Sequence, residues 1–302
     1  MLKNRVSVIV VTYNRPKDVK AAVESLLNQS VKPFEIIVID NGSYPPASLE
    51  SSVNLKIFRF DQEAGLSNAR NYGINIAKGE YIAFIDDDGI AEKTWVEEIQ
   101  KGLENADIVG GTIKPLYEVA PPEWWTEKDF GKCVGVGNIL VKNKSKIWGG
   151  NMAFKPEVFK AIGLFNPNLG RRKGKLFASE ENDLIDRARR KGFNVQFVST
   201  AVFFHKVPAR KMTIGYVLLW NYYLGRSEKT ACVSFRPLGT FVDTLAGMIT
   251  RNSSFKIVAE KSNSTKKGVL ANVITIIAGM AWLLGRGHHS GSRIRNTSIS
   301  SN

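Results

Sequence analysis

The sequence predicts an α/β domain whose largely parallel sheet is doubly wound by helices. Three observations carry this. Apolar, β-branched runs of strand length recur through the first two thirds of the chain. Stretches of helical periodicity separate them. Several of the runs end in polar or acidic clusters, where ligands bind in sheets of this kind.

Val6 to Val11 is the first strand, almost wholly apolar as in a strand covered on both faces. Pro16 opens a helix whose buried stripe is Val19, Ala22, Val23, Leu26 and Leu27. Glu35 to Ile39 is the second strand, and Asp40-Asn41-Gly42-Ser43 is a turn by composition. Leu55 to Phe60 reads as a third strand and Leu66 to Ala77 as a helix. Tyr81 to Ile85 is a fourth strand running into Asp86-Asp87-Asp88. A helix over Thr94–Leu103 and a short strand over Asp107–Gly111 follow.

Residues 113–146 are less regular, with Trp124 and Trp125 among prolines and charges, and read as a connecting region. Trp148 to Phe154 precedes a short helix opened by Pro156. Ser179 to Arg187 begins a helix ending at Gly192, Phe193 to Val198 is a closing strand, and His205 is expected just beyond it. The expected divisions are 1–112, 113–225 and 226–302, the last a basic, apolar helical extension.

Composition narrows the function classes. Apolar residues make up 43% and charged residues 23% of 302, enough for a sizeable core. Cys133 and Cys232 lack metal-ligand spacing, which argues against a zinc site and against a disulfide scaffold and favours a reducing compartment. No signal-peptide pattern opens the chain, so a cytoplasmic location is expected.

The net charge of +14 is uneven: residues 205–302 hold 14 Lys+Arg against 3 Asp+Glu. Such a tail fits an anionic membrane surface. Gly268 to Gly285 is uncharged and, as a helix, ~27 Å long against a ~30 Å hydrocarbon core. It spans a membrane, lies on one or packs in a soluble core, and the interfacial reading is favoured. The tail's aromatics do not alternate with its basic residues, so no nucleic acid is expected as partner. Ser290 to Asn302 is polar and expected to be disordered.

Three adjacent carboxylates at a strand end repel one another unless a cation neutralises them, and clustered carboxylate oxygens suit Mg²⁺ or Mn²⁺. Asp86 and Asp88 have the spacing that puts both on one side of an extended chain. A divalent ion there would offset the charge of a departing pyrophosphate.

Four blocks together resemble the family 2 glycosyltransferases, over roughly residues 5–225: Ser7 to Pro16, Val38 to Ser43, Gly65 with Ala69-Arg70-Asn71 and Gly73, and Phe84 to Asp88. The resemblance implies a GT-A fold, a nucleotide-sugar donor, a carbohydrate or lipid-linked acceptor and inversion. It implies that Thr12, Tyr13, Asn14 and Arg15 line the base and ribose, and that Asp40 accepts the imide N–H of uracil or thymine. Arg70 is expected at the base or phosphate, Asp87 at the ribose and Asp88 on the metal, with the roles of the three aspartates open by one position. His205 matches a position that can be a third metal ligand or meet the diphosphate.

Ser179-Glu180-Glu181-Asn182-Asp183 resembles the block bearing the catalytic carboxylate. Glu181 is the favoured base, one methylene longer than the family's aspartate, with Glu180 and Asp183 as alternatives. Trp148, Gly149, Gly150 and Asn151 resemble the segment passing under the donor sugar and acceptor. A nucleotidyltransferase is the rival enzyme, but the first strand is not followed by a glycine-rich basic loop.

Overall fold

A computed structural model describes residues 5–50, 53–137, 140–141, 144–145, 147–231 and 266–287. Cys232 and the polar stretch 290–302 lie outside them. Strands β1 (Val6–Thr12), β2 (Glu35–Asp40), β3 (Leu55–Arg59) and β4 (Tyr81–Asp86) alternate with helices α1 (Pro16–Leu27) and α2 (Leu66–Ile76). Then come β5 (Gly89–Ala91), α3 (Trp95–Asn105), β6 (Ile108–Tyr117) and α4 (Glu127–Phe130). A small hairpin, β7 (Leu140–Val141) and β8 (Lys144–Ser145), leads to β9 (Asn151–Phe154), α5 (Pro156–Ile162), α6 (Glu180–Arg190) and β10 (Val195–Val207). Helices α7 (Ile214–Thr230) and α8 (Lys266–Gly287) complete the described chain.

Eight strands form one mixed, mostly parallel sheet in the order β3-β2-β1-β4-β9-β6-β10-β5, with β9 and β5 antiparallel to their neighbours. Alternate side chains of each strand feed two cores. Val8, Val10 and Val38 pack with α1 and α3, and Ile9, Ile37 and Phe84 with α2, α5 and α6. The sheet is thus doubly wound, as the alternation of periodicities predicts.

The main departure from expectation is β10. The closing strand does not stop at Val198 but continues through His205, pairing with β6 on both sides of a bulge between Val198 and Val202. The bulge is satisfied locally. Asn151 Nδ2 donates to the carbonyls of Thr112 (3.0 Å) and Ala201 (2.9 Å), and Thr112 Oγ1 donates to Ser199 O (2.8 Å). Only glycine fits at 111, where a Cβ would lie 2.0 Å from Ala201 O. The strand β6 is likewise twice the expected length, and it takes up residues 113–117 of the supposedly irregular region.

Candidate active site

The carboxyl ends of β1, β2 and β4 share one rim of the sheet, since Thr12 lies opposite Asp40 and Val11 opposite Asp86. Asp40 and the Asp86–Asp88 turn therefore sit on the same edge, two strand spacings or roughly 10 Å apart. Strand β9 runs the other way, so its amino end, Gly149-Gly150-Asn151, arrives at this rim beside Asp86.

Asp86 is half-buried and Asp88 buried. Their carboxylates and the His205 imidazole place one ligand atom each within 4.8 Å of one another. The extended β10 makes this possible: His205 lies opposite Gly89, and Lys206 N donates to Asp88 O (2.8 Å). A Cβ at Gly89 would meet the Phe203 ring at 2.1 Å. Two carboxylates and an imidazole form an oxygen-rich set that fits Mg²⁺ or Mn²⁺.

Asp88 has three basic neighbours: His205 Nε2 at 2.8 Å, Arg15 Nη1 at 2.8 Å and Lys211 Nζ at 3.1 Å. Burial works to raise its pKa, but His205, Lys211 and Arg15 outweigh it and hold the carboxyl well below the usual range. His205 Nδ1 is buried without a hydrogen-bond partner. Asp87 points elsewhere, accepting from Thr12 Oγ1 (2.8 Å) and Arg15 Nη1 (2.8 Å). Burial, opposed by Arg15 and aided by Asp88, pushes it up to about 7.

Asp40 is buried, with Oδ1 accepting from Ser43 N (2.8 Å) and Oδ2 from Ala47 N (2.9 Å). The carboxylate thereby shapes the loop over the β2 end. Asn14, in the left-handed region at φ 55°, joins this loop through Ser43 Oγ and Tyr44 N. Tyr13 is exposed beside it.

Arg70 joins the two halves of the site. It is buried on α2. Its Nη1 donates to Glu180 Oε1 (2.8 Å), and its Nη2 to Asp86 Oδ1 (3.2 Å) and Gly149 O (3.1 Å). The glycine pair makes room for this clamp: a Cβ on Gly150 would lie 2.6 Å from Asp86 Oδ2, and one on Gly149 3.2 Å from Arg70. Asn151 is fully buried. Besides its bonds at the bulge, it accepts from Trp95 Nε1 (2.8 Å), so its polar atoms serve the sheet. Trp148 is buried and donates to Gly137 O (3.1 Å).

At the α6 end, Asp183 is bound by Arg187 Nε (3.0 Å), which ties α6 to the end of α5 through the Ile162 and Leu164 carbonyls. Glu181 is buried and accepts from the Asn182 amide (3.2 Å). Ser179, immediately before the helix, is left-handed at φ 71°, and its buried hydroxyl has no partner.

Two cations of the site were not legible in the sequence. Lys211 is buried in a turn after β10, reached only because β10 runs on past its bulge. Arg171 precedes α6 in a loop. Arg171 is exposed to solvent; the protein packed about its guanidinium works against the charge, but the Tyr216 phenol and Asp88 outweigh this and raise its pKa.

The sequence profile of Glycosyl transferase family 2 matches residues 7–163, more than half of the chain. The chain belongs to glycosyltransferase family 2. A glycosyltransferase of Methanocaldococcus jannaschii with no assigned role is 36% identical over 257 residues, 80% of each chain. The glucosyl-dolichyl phosphate glucuronosyltransferase of Haloferax volcanii is 26% identical over 240 residues, 74% of this chain and 76% of that one. The crystal structure of S. aureus TarS aligns at TM-score 0.47 and 16% identity, over 74% of this chain and 43% of TarS. The sheet topology of this glycosyltransferase is itself of the expected fold class: eight strands, mostly parallel, flanked by helices.

Proposed function

We propose that this glycosyltransferase moves a sugar from a nucleoside-diphosphate donor, UDP- or dTDP-linked, to a hydroxyl of a lipid-linked acceptor, with inversion. Its setting would be surface polysaccharide or glycolipid synthesis at the cytoplasmic face of a membrane. One observation carries the reading. Arg70 touches both the Asp86 carboxylate of the donor half and Glu180, next to the favoured base Glu181. The H. volcanii relative, named for a dolichyl phosphate acceptor, supports a lipid-linked substrate.

Asp86, Asp88 and His205 would hold Mg²⁺ or Mn²⁺, which when bound supplies positive charge against the leaving diphosphate. Each Asp40 oxygen holding a loop amide keeps a second lone pair for the imide N–H of the base. Asp87, fixed by Thr12 and Arg15, faces the ribose. Glu181 removes the acceptor hydroxyl proton as that oxygen bonds to the anomeric carbon and the bond to the diphosphate breaks. Glu180 and Asp183 are each committed to an arginine and hold the helix end in place.

Thermal shift with UDP-, dTDP- and GDP-sugars, with and without Mn²⁺, tests this. Metal-dependent stabilisation by a UDP- or dTDP-sugar, lost in Asp88→Asn, is expected. Stabilisation by GDP-sugars alone, or by none of the donors in the presence of metal, overturns it.

A further inference from the structure

The loop between α5 and α6 reads Gly170-Arg171-Arg172-Lys173-Gly174-Lys175 and leads directly to the base-bearing end of α6. Among the described residues, no carboxylate forms an ion pair with Arg172, Lys173, Lys175 or Arg226. Arg172 from the loop and Arg226 from α7 both stack on the Phe177 ring, with Cζ 4.7 and 5.3 Å from its centroid. Tyr223 holds the same ring edge-on at 5.2 Å. Arg172 is further fixed by donating Nη1 to Pro167 O (2.9 Å). Burial, and after it the neighbouring Arg226 charge, lower the Arg172 pKa.

Two guanidinium groups pre-ordered on one aromatic ring without a counter-ion favour an anion, and their planar donors match phosphate oxygens. The surroundings say which one. The loop is bound to α7 through Ala178 N donating to Ser227 Oγ (2.9 Å). Next to Arg226, Gly225 lets α8 approach so closely that a Cβ would lie 2.1 Å from Trp282 O. The outer face of this helix pair exposes Leu219, Ile277, Met280 and Leu284. The paired arginines thus join the loop that leads to the acidic end of α6 with the helix pair that carries these exposed apolar side chains.

We propose that Arg172 and Arg226 clamp the phosphate of a lipid-linked sugar phosphate acceptor, with its sugar toward Glu181 and its lipid along α7 and α8. This rests on the lipid-linked acceptor reading above and adds the group by which the acceptor is gripped.

The test is equilibrium binding of the full chain, with Mn²⁺ and UDP present, to farnesyl phosphate and to farnesol in non-ionic detergent. Farnesyl phosphate is expected to bind at least about tenfold more tightly than farnesol, and Arg172→Ala and Arg226→Gln each to lose about tenfold. Arg172→Lys should recover part of the loss, and UDP affinity should not change. Arg172 lies on a loop, so its variants read the clamp even where Arg226→Gln compromises α7. Equal binding of farnesyl phosphate by wild type and Arg172→Ala overturns the proposal. So does a fall in UDP affinity, which would assign the pair to the donor. A loss confined to phosphatidylglycerol vesicles, with farnesyl phosphate binding intact, would make it a headgroup site and also overturns it. Failure of the wild type to bind any sugar nucleotide is the separate failure of the glycosyltransfer reading.

Discussion

Glu181 and Asp183 stand two residues apart on α6, both buried, and the function proposed above gives them different tasks. Asp183 is fixed by Arg187, which anchors the end of α5. Asp183→Asn should therefore lower thermal stability and leave kcat within a few fold. Glu181→Gln should cut kcat by ~10²–10⁴-fold with donor affinity unchanged. Steady-state kinetics with titration of the nucleotide sugar separates the two, and the reverse pattern would move the base to Asp183. Ser179 carries a different burden. An L-residue held left-handed costs about 1–2 kcal/mol, and its buried hydroxyl lacks a partner. Ser179→Gly should raise stability by about 1 kcal/mol in denaturant melts, despite the greater freedom of glycine in the unfolded chain.

At the scale of elements, tight contacts are made at named points. Helices α7 and α8 cross antiparallel through Gly225 and Gly285, and a Cβ on Gly285 would lie 1.9 Å from Tyr222 O. Gly285→Ala should force the pair apart, seen as faster amide exchange in α8 while the sheet stays protected. The strands have their own tie. Glu35 on β2 is buried and accepts from Ser7 Oγ on β1 (2.7 Å), Lys78 N (2.7 Å) and Lys56 Nζ. Burial works to raise its pKa, but the Lys56, Lys78 and Ser7 hydrogen bonds outweigh it, so the folded value is lowered. Its stabilising contribution is complete above the unfolded value of about 4.3 and is lost as pH falls toward and through the lower folded value. Glu35→Gln should flatten the acid limb of a stability-versus-pH curve. An unchanged limb would mean that the carboxylate is not what ties β1 to β2.

At the scale of the whole molecule, the first half was legible because parallel strands buried on both faces leave a simple signature, and their polar ends mark the ligand rim. Asp40, Asp86 and Asp88 could be grouped on that basis. Their link to the acidic end of α6 could not, because it depends on Arg70 reaching across 110 residues to Glu180, nor could the approach of His205, which depends on a β10 that continues past its bulge. Nor do glycines at 149 and 150 announce that they clear space for Arg70 and Asp86.

The tail's sequence left three readings of α8, and no helix among the described residues is long and apolar enough to cross a membrane. Ile274 and Ala278 face inward, while Met280 is 54% and Leu284 69% exposed. With the excess of basic residues beyond 204, this helix is expected to lie on an anionic bilayer. The electrostatic part, about 1 kcal/mol per basic residue near the surface, is screened by salt. The apolar part is not. Flotation with phosphatidylglycerol vesicles should therefore fall steeply as salt rises but leave a residue of binding that Met280→Glu with Leu284→Glu removes. Both side chains are exposed, so the fold should tolerate the change. If the double variant floats like the wild type at every salt concentration, α8 does not meet the membrane.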